Sequence, residues 1–412
     1  MKITKEDKEF VSNFSMYNGH DLSIASSTYQ TSLPESFPDD IEITIGSTKI
    51  TYTKKHWSIA DKEYGLRYGT NPSQIGAFYV PKNSKEPLNW NFLKMGKNGP
   101  STTNIEDISQ AIEAIKFFEA DRPSSIIMKH LIPSGFMVGT EEMTLADIYL
   151  ESRNLDYLSS FGGVVVFNTN LDLDTAKKIS ESFIEVIAAP TIDQEVVNYF
   201  NSLPTKVHVR IVELGSLEKI PKYKGDQLTP ANFNLKVQVD GTIILEQPFL
   251  SQLTSIDKLY FNSYIYEQDR KYQVQFKPSN EVLQDLLDSY HVLQSVRSNA
   301  AVIMKEGRAL CGSGETKRVD AVKRASEKVE DYKNKKNLPN KTKILANWEG
   351  AVASTDGFPP FDDTIEELHK VGVKHTLFPP GGKNTYQIIE KANKLGMSIT
   401  FTPYNARCFT HR

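Results

Sequence analysis

The sequence predicts an α/β fold in two lobes, and three observations carry that reading. Short apolar runs of strand length, at 126–128, 164–167 and 300–304, alternate with stretches whose apolar residues recur at the three- and four-residue spacing of a helix face. A strand, a glycine turn and a helix succeed one another around 160–187 and again around 299–329. With no fixed short period, that repetition means two similar lobes and not a solenoid. Finally, helix and strand patterns alternate through 364–401 as in βα units.

Taken in order, residues 1–55 mix Ser, Thr and acidic residues and hold one hairpin candidate, 41–44 with 49–52; they read as an N-terminal appendage. The first lobe is placed at 56–225, connecting strands at 226–280 and the second lobe at 281–412. Residues 64–74 are dense in Gly, Pro and Asn and form a loop. Its Arg67 either offers a planar fork to phosphate or stacks on a Tyr in a surface turn. Asn104 is placed as the cap of a helix with Ile105, Ile108, Ile112 and Ile115 inward. That helix feeds the strand Ile126-Ile127-Met128, which delivers Lys129 and His130 to its C-terminal end before Pro133 and Gly135 turn the chain. Such a pair is either a surface pair or, at a strand end opening on a loop, the equipment for moving a proton.

Ser160-Phe161-Gly162-Gly163 leads into the strand 164–167, and its glycines permit a tight turn or a close approach to a ligand. Ala176, Ile179, Phe183 and Ile187 are predicted on one face of a helix ending before Ala188, with Glu185 off that stripe as a solvated carboxylate. Asp240-Gly241 between two apolar runs signals a hairpin. Ser279 opens a helix containing Leu286, Tyr290 and Leu293, and a strand over 298–304 turns at Glu306-Gly307. The glycine loop 311–318 then heads a helix with Val319, Val322, Ala325 and Val329 inward. A glycine loop before a helix suits an anion, although the Gly-Lys-Ser/Thr order of a Walker loop is absent. The basic residues of 317–343 read as one solvated helix face plus a loop. Residues 351–361 are predicted as a loop with an acidic and aromatic centre, followed by helix 364–370, strand 376–378, a Pro-Pro-Gly-Gly turn, helix 384–395 and strand 397–401.

Composition narrows the function classes. Hydrophobic residues at 39% and charged residues at 24% are those of a globular protein. A net charge of -3 argues against a nucleic-acid partner, which draws a basic excess. No apolar run approaches the ~20 residues of a membrane span, and the start Met1-Lys2-Ile3-Thr4-Lys5 lacks a signal-peptide core, so a cytoplasmic location is expected. The two cysteines, Cys311 and Cys408, form no CxxC pair and read as small buried hydrophobes; no metal site is expected.

Together the motifs resemble those of the aminoimidazole-carboxamide ribonucleotide (AICAR) transformylase family, usually the C-terminal part of a bifunctional purine-biosynthesis protein. The matching pieces are Leu66-Arg67-Tyr68-Gly69-x-Asn71-Pro72-x-Gln74, Lys129-His130-x-x-Pro133-x-Gly135, Ser160-Phe161-Gly162-Gly163 and Ser298-Asn299-Ala300. They continue with the glycine loop ending at Arg318, Asp356-Gly357-Phe358-x-Pro360-Phe361, Pro380-Gly381-Gly382 and Arg407-Cys408-Phe409-Thr410-His411. All lie collinear from about 64 to 411. The resemblance implies two cytidine-deaminase-like lobes with mixed sheets flanked by helices, in an intertwined homodimer with active sites at the subunit interface. The deaminase zinc motif, His-x-Glu with Pro-Cys-x-x-Cys, is missing, which disfavours zinc deamination. Three departures stand out. The inosinate cyclohydrolase domain that precedes the transformylase in that family does not fit into 55 residues, so the chain is not expected to close the purine ring. Asp362 stands where the family has Arg, and the glycine loop is one residue short.

By resemblance the reaction is formyl transfer from the cosubstrate 10-formyltetrahydrofolate to the 5-amine of AICAR. That amine is a poor nucleophile, because its lone pair delocalises into the ring. His130 is the implied base, since an imidazole titrates near neutral pH, and Lys129 would stabilise the oxyanion or protonate N10 of the folate. Arg67, Tyr68 and Arg407 would hold the 5′-phosphate, with Gly69 in the same loop, and Glu185 the ribose hydroxyls. Asn299 and Arg318 would face the carboxamide and amine, and Phe161-Gly162 the base. Asp356, Phe358, Phe361, Pro380 and Gly381 would form the folate pocket. Two alternatives keep the fold: a non-catalytic AICAR-binding regulator, which the intact Lys129-His130 pair argues against, and formyl transfer from another donor such as formate with ATP, which the missing Walker loop argues against.

Overall fold

The computed structural model describes residues 37–412 except 72, 83–87, 97, 336–344, 405 and 412; most of the N-terminal appendage and part of the basic 317–343 stretch therefore lie outside the described residues. Its strands are β1 (Asp40–Ile45), β2 (Thr48–Lys54), β3 (Trp57–Ile59), β4 (Lys62–Tyr64), β5 (Tyr79–Pro81), β6 (Asn91–Met95), β7 (Ser124–Lys129), β8 (Ile132–Val138), β9 (Gly163–Phe167) and β10 (Ile184–Ala189). They continue as β11 (Arg210–Glu213), β12 (Asn234–Val237), β13 (Ile243–Glu246), β14 (Tyr264–Glu267), β15 (Arg270–Gln273), β16 (Ala301–Lys305), β17 (Arg308–Gly312), β18 (Ala351–Thr355), β19 (Val373–Phe378) and β20 (Ser398–Phe401). The helices are α1 (Thr102–Ile115), α2 (Leu145–Leu155), α3 (Leu173–Ser180), α4 (Gln194–Ser202), α5 (Asn280–Leu293), α6 (Arg318–Lys333), α7 (Asp363–Lys370) and α8 (Thr385–Lys394).

Eleven strands form one mixed sheet in the order β20-β19-β18-β16-β17-β8-β7-β9-β10-β11-β6. The two lobes meet at its middle, where β17 pairs antiparallel with β8. Each lobe repeats one plan: a helix, an antiparallel hairpin, then three further strands parallel to one another and separated by helices. The fold is therefore α/β with a repeat, as expected, but the repeating units differ from those read in the sequence. The stretch 124–155 corresponds to 301–333, and 163–189 to 351–378. Glycine turns misled the comparison because they occur at different places in the two units.

Both faces of the sheet are covered, which explains the continuous apolar runs. Ile126 and Met128, Val164 and Val166, Val302 and Met304 face one core, shared by both lobes beneath α1 and α5. Their alternates enter two separate cores, Ile127, Val165 and Phe167 in the first lobe and Ala301 and Ile303 in the second. In α1 the four isoleucines are buried, each worth about 1.5–3 kcal/mol. Ser101, not Asn104, is its cap: Asn104 supplies the return bond of a capping box, accepting from the Ser101 N–H at 3.2 Å.

Three other sequence readings are corrected. Pro133 and Gly135 lie inside β8; the chain turns earlier, at His130 and Leu131, whose φ values of 55° and 63° make a two-residue hairpin turn. Helix α3 stops at Ser180, and Phe183, Glu185 and Ile187 belong to the 183–189 stretch that enters and forms β10. Residues 351–355 are a fully buried strand, so only 356–361 form the expected loop.

Outside the large sheet, β1 and β2 form the expected hairpin, and β2 continues the pairing onto β5. The β12–β13 hairpin forms around Asp240-Gly241 as expected, and carries exposed Leu235, Val237, Ile243, Ile244 and Leu245.

Candidate active site

Strand register brings the candidate residues to one edge of the sheet. Met128 pairs with Val164 near the end of β7, which sets the β7–β8 turn beside the chain entering β9 and β10. In the second lobe Ala301 pairs with both Gly312 and Thr355, so the start of β16, the glycine loop after β17 and the loop after β18 share an edge. The loops after β19 and β20 lie at the same edge, because those strands run parallel to β18. A cleft of ≈ 650 Å³ joins the lobes there: Lys129, His130 and Ile132 line it from one side, Ser313 and Glu315 from the other.

The first-lobe cluster is built around the hairpin turn. Lys129 Nζ donates to the carbonyl of Phe161 at 2.7 Å, which fixes the ammonium at the turn before β9. Phe161 is 61% exposed and stacks on Phe183, with ring centroids 4.7 Å apart, and Phe183 stacks in turn on His208 at 4.5 Å. Gly162, at φ +75°, lets this aromatic turn close over β10: a Cβ there would stand 3.9 Å from Glu185 Oε1. Glu185 accepts from Asn104 Nδ2 at 3.3 Å and is no helix carboxylate. On the far side, the loop with Arg67, Tyr68 and Gly69 folds on itself, Gly69 N–H donating to Gln74 O at 2.7 Å. Tyr68 O accepts from the Thr102 N–H at 3.2 Å, which docks that loop on the first turn of α1. Arg67 lies 5.1 Å from the ring centroid of Tyr68, so a stack accompanies its place in the site.

Sequence reasoning missed Arg210 in this cluster. It opens β11, is 6% exposed, and donates from Nε to Gly99 O at 2.9 Å. Burial lowers its pKa, Glu185 opposes that shift and the charge of Arg67 adds to it. Burial also lowers the pKa of Lys94, helped by Arg210. Buried cations close to one another favour an arriving anion. The available signal was a lone arginine between Val209 and Ile211-Val212 in an otherwise apolar run.

The second-lobe cluster centres on a buried ion pair. Arg318, at the start of α6, donates through Nη2 to Asp356 Oδ1 at 2.8 Å and to Asn299 Oδ1 at 2.9 Å, and through Nη1 to Phe358 O at 2.9 Å. Asp356 is fully buried and also takes the Ser298 hydroxyl on Oδ2 at 2.5 Å, so its carboxylate is committed to holding Arg318. Asn299 Nδ2 donates to the carbonyls of Glu315 and Thr316 at 2.9 and 3.1 Å and braces the glycine loop. Arg407 lies over the Phe358 ring at 5.1 Å, and a Cβ on Gly381, which follows Pro380, would sit 3.3 Å from its Nη2. Phe361 stands apart, 58% exposed. Asp362, in place of the family arginine, pairs with Lys391 of α8 at 3.3 Å. Arg67 and Arg407, both expected at one phosphate, thus belong to different clusters of a single chain.

The molecule is a two-lobed α/β protein with a Lys-His hairpin turn, a buried group of cations and an Arg–Asp–Asn cluster along one sheet edge. The AICARFT/IMPCHase bienzyme family matches residues 8–328, and the chain belongs to that family. It is similar to the bifunctional purine biosynthesis protein PurH of Magnetococcus marinus, 31% identical over 353 residues, covering 85% of this chain and 60% of the relative. The PurH proteins of Buchnera aphidicola, 32% identical over 354 residues, and Persephonella marina, 29% over 357, each match 85% of this chain. They are covered over 59% and 60% of their own length, so the chain spans about 60% of the curated relatives it matches. Among the described residues no helix is long and apolar enough to cross a membrane, and no cluster of His, Cys, Asp and Glu is placed to hold a metal ion.

Proposed function

We propose that this chain is the formyltransferase of purine biosynthesis acting on AICAR: it passes a formyl group from 10-formyltetrahydrofolate to the 5-amine of AICAR, giving formyl-AICAR and tetrahydrofolate. The observation that carries the reading is the convergence of Lys129 and His130 with Phe161, Glu185, Asn104 and the buried Arg210 beside Arg67 at one sheet edge. His130 takes the proton from the 5-amine as the C–N bond forms. The carbonyl oxygen of the formyl group becomes an oxyanion, which Lys129 stabilises from its place on the Phe161 carbonyl. The intermediate then collapses, N10 of the folate leaves, and Lys129 is the group positioned to protonate it. Arg67 and Tyr68 receive the phosphate, with Arg210 behind them, and Glu185 takes the ribose hydroxyls. The face of Phe358 and the Pro380-Gly381 turn supply the folate side, beside the Asp356-held Arg318.

The same reading includes a cytoplasmic homodimer. Free-standing two-stranded hairpins are marginal in water, and the apolar residues exposed along β12 and β13 call for a covering surface, which a second copy supplies. A second copy also offers a way for Arg407 of one chain to meet Arg67 of the other.

One experiment tests the whole reading. Purified protein is mixed with AICAR and 10-formyltetrahydrofolate, and tetrahydrofolate absorbance and product mass are followed, with sedimentation equilibrium on the same preparation. Turnover by a dimer is expected. AICAR binding without turnover would leave a regulator, and product only with formate and ATP would change the donor. His130→Ala is expected to lower kcat by about 10²–10⁴-fold, the usual worth of a general base; turnover within a few-fold of the parent excludes His130.

A further inference from the structure

The turn that presents His130 is conformationally demanding. Both of its central residues, His130 and Leu131, are in the left-handed region, which a branched side chain such as leucine rarely adopts. Two-residue hairpin turns of this kind ordinarily place glycine at the second position. Here the turn is held from outside. Asp107, one helical turn beyond Asn104 on the same face of α1, accepts the Leu131 N–H on Oδ1 at 2.7 Å and the His130 N–H on Oδ2 at 3.2 Å. Asp107 is buried, so its carboxylate needs those two donors as much as the turn needs the carboxylate.

The second lobe supplies an internal comparison. Its matching turn is Glu306-Gly307, with glycine at the second position, φ 78°. Asp285 is the sixth residue of α5, as Asp107 is of α1. No hydrogen bond to Asp285 is made among the described residues, and burial, with Asp288 beside it, raises its pKa to about 6. The carboxylate clamp thus accompanies the turn that lacks glycine and carries the histidine.

We propose that Asp107 is a positioning residue for His130, its carboxylate fixing the backbone of the hairpin turn so that the imidazole projects at the mouth of the cleft between the lobes. The inference rests on the reading of His130 as the base and deepens it. Around Asp107 the charged groups are Glu106 on its own helix and His130 on the turn; the cleft that His130 lines carries charges of both signs, Lys129, Arg324 and Lys328 with Asp156, Glu315, Glu327 and Asp331. Burial raises the Asp107 pKa, while the two N–H donors and His130 oppose that rise.

The test uses the full chain in four forms: parent, Asp107→Asn, His130→Ala and the double variant, with Asp107→Glu as the conservative control. Asparagine keeps one acceptor but turns an amide donor against a backbone N–H. If Asp107 works through His130, Asp107→Asn lowers kcat by about tenfold or more and leaves the AICAR KM within about twofold, because orientation and not ground-state binding is lost. The same change made on the His130→Ala background costs less than about twofold, since the group it positions is gone. Asp107→Glu restores part of the rate. An equal loss on both backgrounds, or an unchanged kcat, overturns the proposal. Hydrogen–deuterium exchange of the 126–135 peptide, read without substrate, separates this from the functional reading. Faster exchange in Asp107→Asn supports the clamp even if the parent proves inactive in formyl transfer, an outcome that sinks the assigned reaction. Unchanged exchange overturns the clamp whatever the activity.

Discussion

Arg318 shows how a side chain implied by motif acquires its role from its neighbours. Its guanidinium has three acceptors, and one of them, Asp356, is fully buried with no other cation bonded to it among the described residues. Removing one member of a buried pair leaves an uncompensated charge, which costs about 3–5 kcal/mol, whereas removing both costs less. Arg318→Met is therefore expected to lower unfolding stability by about that much in urea, and the double variant with Asp356→Asn to recover a large part. A double variant as unstable as the single one would show that the pair is not what matters. Lys129, His130 and Arg318 stood out in the sequence by their motif positions, and the fold brings them to one edge of the sheet. Asn104, Asp107 and Arg210 did not stand out in this way. Asn104 meets Glu185 across 81 residues and Asp107 meets Leu131 across 24, so their roles exist only once α1 is laid along the edge of the sheet.

At the scale of elements, what the sequence conveyed and what it hid both follow from burial on two sides. A strand covered on both faces loses its alternation, so β10 and the end of α3 merged into one apparent helix: Ala176, Ile179, Phe183 and Ile187 satisfy a helical spacing although a turn intervenes. The runs at 126–128, 164–167 and 301–304 were legible because nothing but a buried strand suits so short an unbroken apolar run flanked by turns. Two glycines carry the helix-on-sheet packing that repeats in both lobes. A Cβ on Gly135 in β8 would lie 2.0 Å from the Ser152 carbonyl oxygen of α2, and one on Gly312 in β17 would lie 1.8 Å from that of Ala321 in α6. The sequence flagged both as turn formers, since close approach to a helix leaves no local mark. Because the obstacle is helix backbone, Gly312→Ala must push α6 outward, at a cost of about 1–3 kcal/mol or more. It must also displace Arg318 at the start of α6, so thermal stability and turnover are expected to fall together. A variant that melts with the parent would show that the two elements are not in such close contact.

Over the whole molecule, two groups near the lobe junction set opposing responses to acid. His291 on α5 is fully buried against Phe117, rings parallel at 4.2 Å, and burial lowers its pKa to about 4. Folded protein therefore resists protonation there, and its stability is lost as pH falls from the ordinary histidine value of about 6.5 towards 4. Asp285, two turns earlier on the same helix, has the opposite sign. Its pKa is raised to about 6, so the folded state holds a proton that the unfolded state releases, and stability is gained as pH falls through the same interval. The Asp285 effect is on the order of 2 kcal/mol after allowance for its partial exposure, and the buried His291 opposes it over the same interval. Asp285→Asn removes the gain and leaves the loss. The variant is expected to be more stable than the parent by about 2 kcal/mol at pH 8, where the buried aspartate is charged, and to lose that advantage progressively below pH 6. Urea unfolding of parent and variant at pH 8, 6 and 4.5 checks this, and a difference in stability that stays constant across the three pH values would rule out the raised carboxyl as its source.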